Sequence, residues 1–187
     1  MDNLLTIGLV ALMLPVVGAL VFRRISRDYT RFGQLTRTGT ALQVGLFVLH
    51  GVSSLLFLNS RLSTIEARDP LSGFALLLIT GGLVMLLSTI KRFGVKRAVG
   101  QEEPGSLVCV GMYQRSRNPQ ILFYGIAIVG YALLWPSWTG AIWVVLYAVL
   151  ASMMVRVEEQ HLRRTYGNDY VDYCVHTPRL IDLPRRK

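Results

Sequence analysis

Five apolar runs, separated by polar and mostly basic segments, set the plan of the chain. They cover residues 4–22, 40–58, 71–90, 119–134 and 139–155. Each is close to the length of a membrane-crossing helix, which needs about 20 apolar residues. The first contains Pro15 and Gly18, both tolerated in membrane helices because neighbouring groups satisfy the loosened backbone. Asp2 is the only charge before it, and a secretory signal starts with a basic region, so this run reads as an uncleaved span. The last two runs are joined by Trp135, Pro136, Ser137 and Trp138, a tight turn with two interfacial indoles. They form an antiparallel hairpin. The pattern predicts an all-α integral membrane protein of about five transmembrane helices. It is a single membrane domain, with three N-terminal spans in residues 1–90 and a loop, the hairpin and a C-terminal segment in residues 91–187.

Composition agrees. The chain is 52% hydrophobic, with positive mean hydropathy, too apolar for a soluble domain of its length. Charge adds an orientation. A net charge of +9 in a soluble protein points to nucleic acid, but here the basic residues punctuate apolar runs. They read as topology determinants and contacts with membrane lipids, and no nucleic-acid partner is expected. Of the 20 Lys and Arg residues, 5 fall in residues 23–37, 6 in 91–117 and 7 in 156–187, leaving Arg61 and Arg68. The positive-inside rule then predicts the N-terminus outside and the C-terminus cytoplasmic. The long loop and the tail share one face, which predicts a cytoplasmic-face pocket in a multi-pass protein of the inner cell membrane. Residues 23–37 read as a basic cytoplasmic loop, and its arginines are interleaved with Phe22, Tyr29 and Phe32, as in a segment lying on lipid headgroups. Cys109 and Cys174 have no zinc spacing, and His50, His161 and His176 form no ligand motif, so no metal is expected. G-x-G-x-x-G and P-loop patterns are absent, which disfavours those cofactor sites. No acidic residue falls inside a span, which disfavours proton-coupled transport.

The candidate chemistry begins in residues 91–117, a polar segment too long for a mere connector. It ends in Arg115 and Arg117, and Asn118 and Pro119 follow. Asn is a good N-cap and Pro suits the first helical position, so a helix is predicted to start at Pro119. The free N–H groups and dipole of that start favour an anion, a carboxylate or a phosphate. A capped helix with arginines on lipid phosphates is the plainer alternative. Glu158 and Glu159 follow the fifth run on the same face. They suit an ammonium group or ribose hydroxyls, or else Glu159 pairs with Arg163 one helical turn on. Gly167 is predicted to end that helix, and Asn168 or Asp169 to start another turn. Tyr170 and Tyr173 then share a face, as packing or as a pocket wall. His50, at membrane depth, is either functional or bonded to nearby backbone or serine. Gly73, Gly81 and Gly82 would let the third helix approach a neighbour closely.

Gly111, Tyr113, Arg117, Asn118 and Pro119, then a hairpin, then Glu158, Glu159, Leu162, Gly167, Tyr170 and Tyr173 form one ordered pattern. It resembles the membrane-embedded methyltransferases, namely the isoprenylcysteine carboxyl methyltransferases and the related phospholipid methyltransferases, across residues 105–181. Asn118, where the eukaryotic isoprenylcysteine pattern has His, looks like the bacterial branch. The resemblance implies S-adenosylmethionine (SAM) bound at the cytoplasmic face. It also implies methyl transfer to a lipophilic small-molecule or lipid-linked acceptor (carboxylate, hydroxyl or amine) that enters from the bilayer. The implied cofactor-binding residues are Val108, Gly111, Tyr113, Arg117, Asn118, Pro119, Glu158, Glu159, Tyr170 and Tyr173. Arg156 and Glu159 are the catalytic candidates. Arg156 would orient an anionic acceptor. Glu159, His161 and Tyr113 are the available proton acceptors if the acceptor needs one. Two other readings stand beside this one. One is a nicotinamide-dependent sterol-type membrane reductase, and the other is a non-catalytic membrane partner protein.

Overall fold

A computed structural model describes residues 2–58, 70–94 and 105–181. Six α-helices order the described chain: α1 (Asp2–Phe32), α2 (Arg37–Phe57), α3 (Pro70–Phe93), α4 (Pro119–Leu133), α5 (Trp138–Tyr166) and α6 (Asn168–His176). A 3-10 turn, Gly111–Gln114, precedes α4. The external connection read at residues 59–69 lies outside the described residues, as do Lys96, Arg97 and residues 101–104.

Four helices, α1, α2, α3 and α5, are long and apolar enough to cross a membrane. The fourth apolar run departs from the five-span expectation. Pro119 starts α4 and the turn at Trp135 and Pro136 stops it after 15 residues. That gives about 22 Å of helix, short of a hydrocarbon core of about 30 Å. The basic segment after the first run also differs from expectation, because it is helix and not loop. No breaker occurs between Phe22 and Gly33, whose φ of 70° turns the chain. Arg24 pairs with Asp28 one turn on, at 2.6 Å, so charge stabilises the extension.

Asp28 is fully buried and organises the turn into α2. Its carboxylate accepts from the Thr36 hydroxyl and from the Thr36 N–H at 3.3 Å. Thr36 in turn caps α2 by accepting from the Gly39 N–H at 3.1 Å. Gly39 is needed here because a Cβ would collide with the Asp28 carboxylate.

The core lies between α1, α2 and α5, around Ile25, Leu46, Phe57, Trp143, Leu150 and Met154. α3 packs on α4 instead. The contact is close because Gly82 faces the Phe123 carbonyl and Gly130 faces the Ala75 carbonyl, each 2.8 Å from where a Cβ would sit. Of the three glycines expected to serve close approach, Gly73 and Gly81 face open space. α5 joins α4 through the Tyr147 hydroxyl, which donates to the Ile121 carbonyl at 2.6 Å.

Ser137 caps α5 by accepting from the Gly140 N–H at 3.0 Å. The helix then runs 29 residues, about 43 Å, past the end of its apolar run, so both glutamates are helical. Gly167, with φ of 54°, ends it as expected, and α6 starts at Asn168. The last turns of α5 lie on those of α1. His161 stacks on Tyr29 at 4.1 Å, and Arg164 donates to the Thr30 hydroxyl at 3.0 Å. The ends of α1 and α5 and the start of α4 therefore share one end of the bundle.

Candidate active site

The site forms where three pieces of chain meet: the start of α4, the polar extension of α5, and α6 with the residues after it. Hydrogen bonds to two backbone carbonyls of the tail fix the meeting. The Arg117 N–H donates to the Pro178 carbonyl at 2.9 Å, and the Asn118 amide donates to the Arg179 carbonyl at 3.0 Å. Asn118 thus occupies the N-cap position, but its side chain does not cap α4. The tail carbonyl takes that side-chain donor instead, while the Asn118 N–H donates to the Ser116 hydroxyl at 3.2 Å. Pro119 follows at the first helical position, buried, as the sequence predicts.

Glu159 sits at the centre of the charge cluster. It accepts two hydrogen bonds from the Arg179 guanidinium, one of them at 3.0 Å from Nε. Arg117 reaches the same carboxylate at 3.4 Å and also contacts the Cys174 sulfur. Among the described residues these are its ion pairs, so the alternative pairing with Arg163 is not formed. The Arg117 and Glu159 side chains are each 13% exposed, whereas Arg179 is 56% exposed. The Arg117–Glu159 pair is largely enclosed, and Arg179 approaches it from the exposed side. Arg117 Nε is buried with no hydrogen-bond partner among the described residues. A donor in that state calls for an acceptor from elsewhere.

Tyrosines close the cluster. Tyr170 is buried and its ring lies 6.1 Å from that of Tyr173, tilted 55°. The Tyr173 hydroxyl donates to the Tyr113 carbonyl, which ties α6 to the 3-10 turn. The Tyr113 hydroxyl accepts from the Gln120 amide at 3.1 Å. Burial first, and the nearby Glu158 carboxylate second, push the Tyr113 phenol well above its ordinary value. It therefore stays protonated at neutral pH and is no general base. Burial raises Tyr170 and Tyr173 likewise.

Two cavities border this cluster. One, of about 510 Å³, is almost wholly apolar and lies between α4 and α5, with Ile121, Tyr147 and Val155 in its wall. Arg156 and Arg179 stand at its polar end. The other, of about 440 Å³, lies between the end of α3 and the 3-10 turn, with Thr89, Arg92, Val108, Gly111 and Tyr113 in its wall. Both fall within the roughly 300–1,000 Å³ of small-molecule sites.

The structure thus brings Arg117, Asn118, Pro119, Glu159, Tyr170 and Tyr173 together. Val108, Gly111 and Tyr113 line the second cavity, and Tyr113 links it to the cluster through Tyr173. Arg156 lies at the apolar cavity. Glu158 acts electrostatically on Tyr113 and Tyr29. His161 is packed against α1 by its stacking on Tyr29. Three residues at the site were not singled out as site candidates from the sequence: Arg179, Cys174 and Ser116. The resemblance expected across residues 105–181 covers all three, but it did not reveal which side chain Arg179 would meet.

The phospholipid methyltransferase family matches residues 71–169, from α3 into the start of α6 and just over half of the chain. No curated protein and no solved structure matches the chain. Arg117, Glu159 and Arg156 fall inside the matched segment, and Tyr170, Tyr173 and Arg179 fall beyond it.

Proposed function

Since the chain belongs to the phospholipid methyltransferase family, we propose that it is a SAM-dependent methyltransferase whose lipophilic acceptor enters from the bilayer. Membership itself gives methyl transfer to a lipid-like substrate. The observation that carries the finer reading is the largely enclosed Arg117–Glu159 pair beside an apolar cavity, with Arg117 Nε lacking an acceptor among the described residues.

The donor set fits SAM. Arg117 suits its carboxylate, by the planar fork that binds such groups at two points. Glu159 suits its ammonium. Tyr170 and Tyr173 supply aromatic wall. When bound, SAM supplies an electrophilic methyl group on a sulfonium. The chain's own contribution is alignment and exclusion of water by the apolar cavity. A carboxylate acceptor needs no base. Arg156 would orient the acceptor head at the cavity end. The charge distribution supports a cytoplasmic placement of this end of the bundle.

Titration of the detergent-purified chain with SAM and with NADPH tests the proposal. SAM is expected to bind and NADPH not to. Binding of NADPH alone would mark a reductase, and binding of neither a non-catalytic protein.

A further inference from the structure

Arg179 belongs to two places at once. Its guanidinium is bidentate on Glu159, and the same side chain walls the polar end of the apolar cavity. Its backbone is held, because the Arg179 carbonyl accepts from Asn118 and the Pro178 carbonyl from Arg117. Its side chain is more than half exposed and so has room to turn. The cavity it faces has an apolar wall, and the charged groups lining it are Arg156 and Arg179. No acid lines it. The Tyr147 hydroxyl is already committed to the Ile121 carbonyl. Arg156 is exposed and makes no ion pair among the described residues. Two guanidiniums at one end of an apolar cavity are complementary to an amphiphile with an anionic head, carboxylate or phosphate.

We propose that Arg179 is a specificity-determining residue shared between Glu159 and the acceptor cavity. With the cavity empty it pairs with Glu159. With an anionic-headed amphiphile seated, it turns with Arg156 onto the head group and leaves the Glu159 carboxylate open. Selectivity for an anionic head and access to Glu159 are then one device. By linkage, whatever loosens the Arg179–Glu159 pair tightens the anion, and the anion in turn favours a cation at Glu159. The reading of SAM as the cofactor enters only in what the opened carboxylate binds.

The test uses the full chain in a non-ionic detergent, with calorimetric titration of oleate, oleyl phosphate and oleyl alcohol. At least one anion is expected to bind about tenfold tighter than the alcohol, and which one it is separates carboxylate from phosphate heads. Arg156→Gln and Arg179→Gln should each remove most of that preference. Glu159→Gln should tighten the anion by about tenfold, because it removes the competitor for Arg179. Glu159→Asp, which draws the charge back from Arg179, should act in the same direction and serves if the glutamine variant does not fold. Equal binding of the three probes overturns the proposal, as does an anion affinity unchanged or weakened in both Glu159 variants. SAM titrated with and without saturating oleate completes the test. A rise of about tenfold is expected in the wild type and none in Arg179→Gln. SAM affinity indifferent to oleate overturns the coupling. No SAM binding in any arm, with the oleate results as expected, leaves Arg179 in its role and removes SAM as the cofactor.

Discussion

His50 and Trp143 hold each other by their main chains. The Trp143 indole N–H donates to the His50 carbonyl at 2.9 Å, and His50 Nε2 lies 3.0 Å from the Trp143 carbonyl. A carbonyl only accepts, so the imidazole carries its proton on Nε2. The rings stack 4.7 Å apart, within 9° of parallel. Both residues are buried, and Trp143 lies sixteen residues before Glu159 on α5, about 24 Å along the helix from the Arg117–Glu159 cluster. This histidine at membrane depth is therefore a fastener between α2 and α5. His50→Ala should lower stability by about 1–3 kcal/mol, through the lost hydrogen bond and stack. SAM affinity per folded molecule should not change. A folded His50→Ala protein without SAM binding would place His50 in the site after all.

The α3–α4 contact gives a contrast on a single helix. At Gly82 a Cβ would lie 2.8 Å from the Phe123 carbonyl and 2.9 Å from the Ala127 nitrogen, both backbone atoms that cannot turn aside. Gly82→Ala should cost about 1–3 kcal/mol of overpacking. Gly81→Ala and Gly73→Ala meet nothing and should leave stability unchanged or raise it slightly. Thermal unfolding in one detergent compares them directly. Equal losses at all three positions would mean that the helix, and not the contact, is sensitive.

Much of this architecture was legible because it is local. Pro119 starts α4, Gly167 ends α5, and the turn around Pro136 separates α4 from α5, each through local chain chemistry. The charge pattern put Arg117 and Glu159 on one face, and they meet. What escaped depends on tertiary context. Periodicity does not tell which face of α3 meets α4, so Gly73 and Gly81 looked like Gly82. The polar end of α1 read as loop because its arginines mask a helix that continues until Gly33. Asn118 has the right residue type for a cap, but the tail carbonyl takes its side-chain donor. Arg179 lies twenty residues from Glu159, beyond a helix and a turn, and no local rule places it there.

Tyr113, Tyr170 and Tyr173 carry a prediction for alkaline pH. Burial comes first among the causes that raise all three phenols above the ordinary value. A raised folded pKa means that the folded state resists deprotonation more than the unfolded chain does. The associated stability is complete below about pH 10, the unfolded tyrosine value, and is lost as pH rises beyond it. Phenolate absorbance should show these tyrosines ionising after the exposed ones, together with unfolding. Tyr173→Phe removes the donor to the Tyr113 carbonyl and should cost about 1 kcal/mol, with faster amide exchange in the 3-10 turn. All tyrosines titrating together near pH 10 in the folded protein would contradict the burial.

Arg117 offers the sharpest test of the site, because charge and shape can be separated there. Its guanidinium touches Glu159 and the Cys174 sulfur and still holds Nε without a partner. Lysine keeps the charge and loses the planar fork. If Arg117 binds a carboxylate at two points, Arg117→Lys should weaken SAM by about tenfold or more. Glu159→Gln should weaken it comparably, by removing the partner of the ammonium. Arg163→Ala is the control. Arg163 is exposed, lies one turn from Glu159 on the same helix, and makes no ion pair with it among the described residues. Its loss should leave SAM affinity within about twofold of wild type, the scale expected for an exposed charge. Equal and small effects at all three positions would reduce the cluster to a surface ion pair and leave the cofactor to bind elsewhere.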